Sequence, residues 1–506
     1  MPVLDIIRTL RDQTRDPRYA YKANNEKLAW RIGAVFARTW DLGFTAFGGP
    51  PVHFGILHQR FIEGRGGKTP WLDEQTYQEL FAICQALPGP ASTKMVFCIT
   101  LIHAGFLPAL VVFLMWSLPG AIGMYGLSLG VQRMNETLPG VVYAFLSGLN
   151  ASTVGIITLA AVNLAEKAIT DKMTRILVIF GACIGMCYNA LWYFPALMVI
   201  GGVSTVIWDA WLRQFRQQIG KFKAMFNRKP SNVIPLEEQG PPSHGVQRRL
   251  TTGFGNAYNK GPAKVKSEAE NELPFTDMLS HAISVKLGLC IIVFFFATFI
   301  SIIVIRGVFT APPIALDLFA NMYLAGTIIF GGGPVVIPLL RQYVVVPGWV
   351  SSRDFLLGLA IIQAFPGPNF NFAVYLGALT FLRSSYPTIL GAFISFVGIF
   401  VPGMALAIGV QSLWRKLRTK PQLISILRGV HATAVGMVFT AVYRLWEIGY
   451  LTADSGSGQS LGLEPWWVVV AVITYAESAW FKVPPAAAIV AGGVLGLCWY
   501  GAVGQK

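Results

Sequence analysis

Two decapeptides in this chain carry a helix break and its polar followers in the same order. They are Gln85-Ala-Leu-Pro88-Gly89-Pro90-Ala-Ser92-Thr93-Lys94 and Gln363-Ala-Phe-Pro366-Gly367-Pro368-Asn369-Phe-Asn371-Phe372. Paired prolines remove backbone donors and bar a continuous helix. The first break therefore predicts a helix that stops near Gln85 and restarts near Pro90, proline being well suited to a first helical turn. A restarted helix exposes free N–H groups and the positive end of its dipole. Ser92 and Thr93 add hydroxyl donors there, Lys94 a full positive charge, and Asn369 and Asn371 supply amides after the second break. Two such helix starts brought together make an anion site. The plainer alternative is a pair of hinge kinks with no ligand.

A second pair of breaks precedes the first: Phe47-Gly48-Gly49-Pro50-Pro51 and Phe330-Gly331-Gly332-Gly333-Pro334. Consecutive glycines let a ligand approach the backbone closely, and their N–H groups can form an anion-binding nest; close helix packing is the alternative. Candidate ligand groups are thus Gly48, Gly49, Pro88, Gly89, Pro90, Ser92, Thr93, Lys94, Gly331, Gly332, Gly333, Gly367, Asn369 and Asn371. Charged residues in apolar spans are costly and mark function. Arg38 and Asp41 lie one turn apart before the first glycine motif and are expected to pair, and Asp41 and His53 are the candidates for an ion-coupling group. Lys94 aligns with Phe372, so the two halves contribute unequal charge and one principal anion site is expected.

These motifs need a scaffold, and composition names its class. The 506 residues are 54% hydrophobic and only 13% charged, against about 25% charged in soluble domains. Runs such as 287–305 are long enough to cross a bilayer. They do not alternate as barrel strands do, so the fold class expected is all-α and polytopic. Residues 148–155 (GLNASTVG) also match 429–436 (GVHATAVG), and Pro119-Gly120 matches Pro402-Gly403. The chain is thus an internal duplication, not a solenoid. The expected organisation is a basic tail over 1–29, a first membrane repeat over 30–212 and a polar basic linker over 213–281. A connecting span over 282–306 without a counterpart follows, then a second repeat over 313–500.

The unpaired span sets the parity. Tail and linker are both basic and so both cytoplasmic by the positive-inside rule. The second repeat then enters the membrane from the opposite side, giving inverted repeats and about thirteen spans. Short loops agree. Loop 131–139 holds Arg133 alone where 414–420 holds Arg415, Lys416, Arg418 and Lys420, and 166–175 holds Lys167, Lys172 and Arg175 where 450–465 holds no Lys or Arg. Loop 60–75, with three basic residues on the outer side, fits poorly. The net charge of +15 is read as topology and attraction to anionic lipid, with no nucleic-acid partner.

No HExxH, GxSxG or Walker A sequence occurs, so neither an enzyme nor a cofactor is expected. The six cysteines include no CxxC pair, and Cys183 and Cys187 are read as small buried residues of one helix face, not metal ligands. Spacings Gly126–Gly130, Gly181–Gly185 and Gly492–Gly496 are read as packing.

The FGG motif, followed about forty residues later by Q-x-x-PGP and then repeated in that order, resembles the chromate ion transporter family in its long, two-domain form. The resemblance covers 30–212 and 313–500. It carries to Phe47, Gly48, Gly49 and Pro50, to Pro88, Gly89 and Pro90, to Phe330, Gly331 and Gly332, and to Pro366, Gly367 and Pro368; the second FGGGP has one glycine more. It implies secondary transport of chromate, with sulfate as a similar tetrahedral oxyanion, and a role in chromate resistance. The expected setting is a plasma membrane, with chromate or a similar divalent oxyanion, membrane lipids and a second copy of the chain as partners. An oxyanion channel, a sulfate uptake transporter and a membrane-embedded reductase are the alternatives.

Overall fold

The computed structural model describes residues 21–47, 49–64, 69–134, 138–187, 193–226, 283–309, 312–329, 333–417, 420–452 and 458–503. Gly48, Phe330, Gly331, Gly332, the first twenty residues and the linker beyond 226 lie outside them. Among the described residues the regular structure is helical, apart from one isolated bridge between Tyr450 and Gln459.

The first repeat runs α1 (Leu28–Thr39), α2 (Leu42–Thr45), α3 (Gly49–Phe61), α4 (Glu74–Ala86), α5 (Ala91–Ala104), α6 (Phe106–Val131), α7 (Gly140–Ala168), α8 (Lys172–Cys187) and α9 (Tyr193–Phe226). Helix α10 (Val285–Val308) follows, capped by the Ser284 hydroxyl. The second repeat runs α11 (Ile314–Ile328), α12 (Gly333–Val344), α13 (Ser352–Ala364), a 3₁₀ turn (Asn369–Asn371), α14 (Phe372–Thr380), α15 (Thr388–Leu417), α16 (Pro421–Trp446), α17 (Pro465–Trp480) and α18 (Pro485–Ala502). Helices α6, α7, α10, α15, α16 and α18 are each long and apolar enough to cross a membrane. Shorter apolar helices include α5 and α11. Lipid is the solvent these surfaces suit: Phe294 is 68% exposed and Val308 75%.

Both breaks fall where the prolines put them. Helix α4 ends at Ala86 and α5 begins at Ala91; α13 ends at Ala364 and the chain resumes at Asn369. Pro119 and Pro402, by contrast, lie inside the continuous helices α6 and α15.

Contacts fix the relation of the repeats. Helices α5 and α6 form a hairpin, since Ser92 and Trp116 both touch His53 while only Gly105 separates Ala104 from Phe106. Helices α14 and α15 do the same, Gly377 meeting Gly391 and Phe370 meeting Phe400. Across the repeats Gly89 meets Gly403 and the Cys98 carbonyl accepts from Gln411, so α5 and α15 run parallel. It follows that α5 and its counterpart α14 run in opposite directions. The repeats are inverted.

They are also interlocked. Gly148, Ser152 and Gly155 of α7 take α18 and α17, meeting Gly492 and Ala471; Gly429, Thr433 and Gly436 of α16 take α9 and α8, meeting Gly201 and Val178. The small residues that align in sequence thus receive the closing helices of the opposite repeat, a reciprocity expected of a two-fold relation. Gly181, Gly185, Gly492 and Gly496 lie in these seams, whereas a Cβ at Gly126 or Gly130 would meet nothing, so that spacing makes no helix contact. Cys183 and Cys187 are exposed rather than buried. The end of α9, from Asp209 to Phe226, belongs to a separate unit, in which Trp211 stacks on Phe215.

Candidate functional site

Two bonds cross between the repeats at the proline–glycine breaks. The Gly89 N–H donates to the Ile329 carbonyl at 2.7 Å, and the Gly367 N–H donates to the Ala46 carbonyl at 2.8 Å. Each proline–glycine break is thereby bonded to the residue preceding the glycine motif of the other repeat. Both glycines have positive φ, +94° and +88°, a conformation open to glycine without strain. A Cβ on Gly89 would also lie 2.8 Å from the Gly403 Cα. The Pro-Gly pairs inside α6 and α15 complete the arrangement: Gly120 abuts the Pro366 carbonyl and Gly403 the Pro88 carbonyl. Gly49, at φ +75°, begins α3, and Gly333 begins α12.

At the crossing of Gly367 with Ala46, called the first crossing because it flanks the first repeat's glycine motif, the side chains are polar and buried. His53 is 1% exposed; its Nε2 lies 3.1 Å from the Ala46 carbonyl, which also accepts from Gly367, and its Nδ1 lies 3.1 Å from the Ser92 Oγ. A carbonyl accepts only, so Nε2 carries the hydrogen and in the neutral ring Nδ1 accepts from Ser92. The Trp116 ring stands edge-on to His53, centroids 5.1 Å apart. Asn371, fully buried, donates Nδ2 to the Ser117 carbonyl at 2.9 Å across the repeats.

At the other crossing, beside Gly89, Lys94 is completely buried, and its ammonium donates to the carbonyls of Leu87 and Pro88 at 2.6 and 2.9 Å. It thus caps the negative end of α4, a favourable place for a cation. The expected donors Gly89, Gly367 and Lys94 are therefore all engaged within the protein. Phe372 stands where Lys94 stands in the first repeat and Val336 where His53 stands, so the crossings are chemically unequal. Pro90 serves as N-cap of α5, whose first turn has no side-chain cap.

Arg38 and Asp41 do not pair. Asp41 makes a bidentate ion pair with Arg60 at 2.9 and 2.6 Å. Arg38, 0% exposed, donates to the carbonyls of Arg60, at the end of α3, and of Thr69, in the segment before α4, and lies over the Trp71 ring, 4.9 Å from its centroid. A planar fork suits the carboxylate two helices away better than a neighbour one turn off. The second repeat repeats the anchor with different chemistry. Asn321, at the position of Arg38, donates to the Tyr343 carbonyl at 3.0 Å, and α10 supplies Arg306 to Asn321 at 2.7 Å and to Asp317.

Two groups at this site went unread in the sequence: Trp116 and Ser117. The signal was present, because they precede Pro119-Gly120 and their repeat counterparts are the apolar Ile399 and Phe400.

The family model described as chromate transporter matches residues 33–206 and 316–497. The chain belongs to the chromate transporter family. Its relatives include a "Probable chromate transport protein" of Synechococcus elongatus, 24% identical over 79% of this chain and 81% of the relative. The "Chromate transport protein" of Pseudomonas aeruginosa is 22% identical over 85% and 84%, and that of Cupriavidus metallidurans 23% over 79% of each. No solved structure matches. The duplicated match follows the inverted repeats, and as a chromate transporter family member the chain is a polytopic membrane protein.

Proposed function

We propose that this chain is a secondary active transporter of chromate in the plasma membrane, with its tail and linker cytoplasmic, that works by alternating access. The observation that carries the reading is the reciprocal pair of bonds, Gly89 to Ile329 and Gly367 to Ala46, each of which joins a proline break of one repeat to the edge of the glycine motif of the other. An inverted repeat holds two equivalent states, each repeat taking the other's conformation in turn, and the crossings lie where the repeats move against each other. Chromate binds beside the first crossing, among the uncapped start of α5, Thr93, Ser92 and Asn371. Lys94 and the positive end of α5 set the sign of the field. His53, hydrogen-bonded at both nitrogens inside that crossing, is better placed than Asp41 to couple a proton, because Asp41 is held by Arg60. The names of the relatives support chromate as substrate.

The test is uptake of labelled chromate into proteoliposomes under imposed proton and sodium gradients. Saturable, gradient-dependent flux is expected. Ungated conductance in electrical recordings from the same protein, without saturable flux, would replace the transporter with a channel.

A further inference from the structure

We infer that the four broken segments, α1 to α3, α4 to α5, α11 to α12 and α13 to α14, do not cross the membrane. Each is a re-entrant hairpin that turns back between its helices and leaves on the side it came from. The two hairpins of the first repeat therefore wall the half of the substrate path on the side of the tail, and the two of the second repeat wall the opposite half. The substrate path, and the naming of the tail's side as cytoplasmic, rest on the transport reading above. The turning back rests on lengths and contacts.

The helices that flank the breaks are short. In the first repeat α1, α3, α4 and α5 have 12, 13, 13 and 14 residues, and in the second α11, α12, α13 and α14 have 15, 12, 13 and 9. At 1.5 Å per residue the longest reaches about 23 Å, short of a hydrocarbon core of about 30 Å. By contrast α6, α7, α15 and α16 have 26, 29, 30 and 26 residues. The short helices either run end to end across the bilayer or fold back on themselves, and contacts decide between the two.

In the first repeat the outer ends of both segments lie together. The guanidinium of Arg31, in the first turn of α1, donates to the Ala104 carbonyl at the end of α5 at 3.0 Å. The Trp71 N–H, just ahead of α4, donates to the Phe61 carbonyl at the end of α3 at 2.8 Å, and the Trp71 ring stacks on His103 with centroids 4.0 Å apart. The end of the tail joins them: the Tyr21 N–H donates to the Pro70 carbonyl at 3.1 Å and the Asn24 N–H to the His103 carbonyl at 2.7 Å. The inner ends lie together as well, where His53 near the start of α3 meets Ser92 near the start of α5. His53 also meets Trp116, the eleventh of the 26 residues of α6, so the hairpins reach about half-way along a full span. A segment whose two outer ends meet has not crossed.

The second repeat behaves alike at its own mouth. Arg306, near the end of α10, bonds Asp317 in the first turn of α11 and Asn321 one turn on, and Asn321 donates to the Tyr343 carbonyl near the end of α12. The Trp349 N–H donates to the Val344 carbonyl at 3.1 Å, as Trp71 does to Phe61. Tyr375 of α14 donates its hydroxyl to the Asp354 carbonyl near the start of α13 at 2.6 Å. Because the repeats are inverted, the two mouths lie on opposite sides. Two segments turn back in each repeat, so the parity set by the unpaired span is unchanged.

Charge agrees. The loop between α3 and α4, residues 62–73, holds Arg65 and Lys68, and its counterpart between α12 and α13, residues 345–351, holds no Lys or Arg. The positive-inside rule puts the first of these loops on the cytoplasmic side, with the tail. The three basic residues of 60–75, a poor fit on the outer side, are on the expected side once the segment turns back.

The experiment uses full-length protein in which the four exposed cysteines, Cys183, Cys187, Cys290 and Cys498, are replaced by alanine, the other two being buried. Lys22→Cys, Glu63→Cys and Val346→Cys, all at exposed positions, are then made one at a time. A membrane-impermeant maleimide is applied to right-side-out and to inside-out vesicles, and chromate flux is measured in the same vesicles. Lys22→Cys and Glu63→Cys are expected to be labelled in one and the same orientation, Val346→Cys only in the other, with flux retained. A protease site inserted between Gly64 and Thr69 gives a second reading of the first loop, and cleavage is expected from the tail's side alone. Labelling of Glu63→Cys or cleavage of the inserted site from the side opposite Lys22→Cys, or labelling of Val346→Cys from the same side as Lys22→Cys, overturns the inference and leaves chromate transport standing. Absence of saturable chromate flux from folded, unsubstituted protein overturns the transport reading and leaves the hairpins standing.

Discussion

The amide of Gly89 is bonded to the carbonyl of Ile329, in the other half of the chain, at 2.7 Å. That bond and its mirror from Gly367 to Ala46 make each broken helix a partner of the opposite repeat. Two amides that a sequence reader would assign to an anion, those of Gly89 and Gly367, are spent on holding the repeats together. On the alternating-access reading proposed above, movement of one repeat against the other would stretch both bonds at once. On that reading the same backbone would serve as joint and as wall of the site.

Gly89→Ala tests the joint. The residue has φ +94° and an added Cβ would lie 2.8 Å from the Gly403 Cα. Positive φ alone costs about 1–3 kcal/mol, and backbone cannot yield as a flexible side chain does. Thermal unfolding in detergent is expected to show a lowered Tm, and flux to be lost. Gly126→Ala, at a position where a Cβ meets nothing, is expected to leave both unchanged.

Lys94→Met keeps much of the buried volume and removes two charge-assisted hydrogen bonds, to Leu87 and Pro88. Such bonds contribute about 1.5–3 kcal/mol each, and their loss strands two carbonyls at the end of α4. The expected result is a Tm lower by several degrees and chromate flux reduced at least roughly tenfold. Unchanged flux in the folded variant would remove Lys94 from the substrate site.

Asp41→Asn separates coupling from structure. Asp41 and Arg60 are about a quarter and a fifth exposed, so their bidentate pair is expected to contribute only about 1 kcal/mol. Gradient-driven flux should survive this change, and the double variant Asp41→Arg with Arg60→Asp should recover the lost stability. If Asp41→Asn instead uncouples flux from the proton gradient, the coupling role passes from His53 to Asp41.

Arg306→Ala tests the anchor that α10 provides. It removes the partner of Asp317 and Asn321, and through Asn321 it loosens the grip on the Tyr343 carbonyl at the end of α12. A stability loss of about 1–3 kcal/mol is expected in chemical or thermal unfolding. Arg306→Lys should recover part of it, because the bond to a single acceptor does not need the fork.

The sequence carried the plan of the molecule further than its contacts. Pro88, Pro90, Pro366 and Pro368 ended helices where backbone chemistry requires, and the aligned glycines of 148–155 and 429–436 marked seams that the structure uses reciprocally. Inversion followed from the unpaired span because parity is a counting property. Pairing was harder. The spacing of Arg38 and Asp41 says that they share a helix face, but the fork of Arg60 arrives from a third helix and fits the carboxylate better. Lys94 reads as an open positive charge until the chain turns back on itself and puts Leu87 and Pro88 within its reach. No spacing marks Trp116 or Ser117; only the fold brings His53 against the Trp116 ring and Asn371 onto the Ser117 carbonyl. Glycine spacing likewise gave no warning that Gly126 and Gly130 face no helix while Gly181 and Gly185 do.

The most direct test is to locate chromium in the protein by anomalous scattering from crystals grown with chromate. The account predicts one ordered chromium within hydrogen-bonding range of the oxyanion donors at the first crossing, between Thr93, Ser117 and Asn371. A chromium bound elsewhere in a transport-competent protein, with this crossing unliganded, would contradict it.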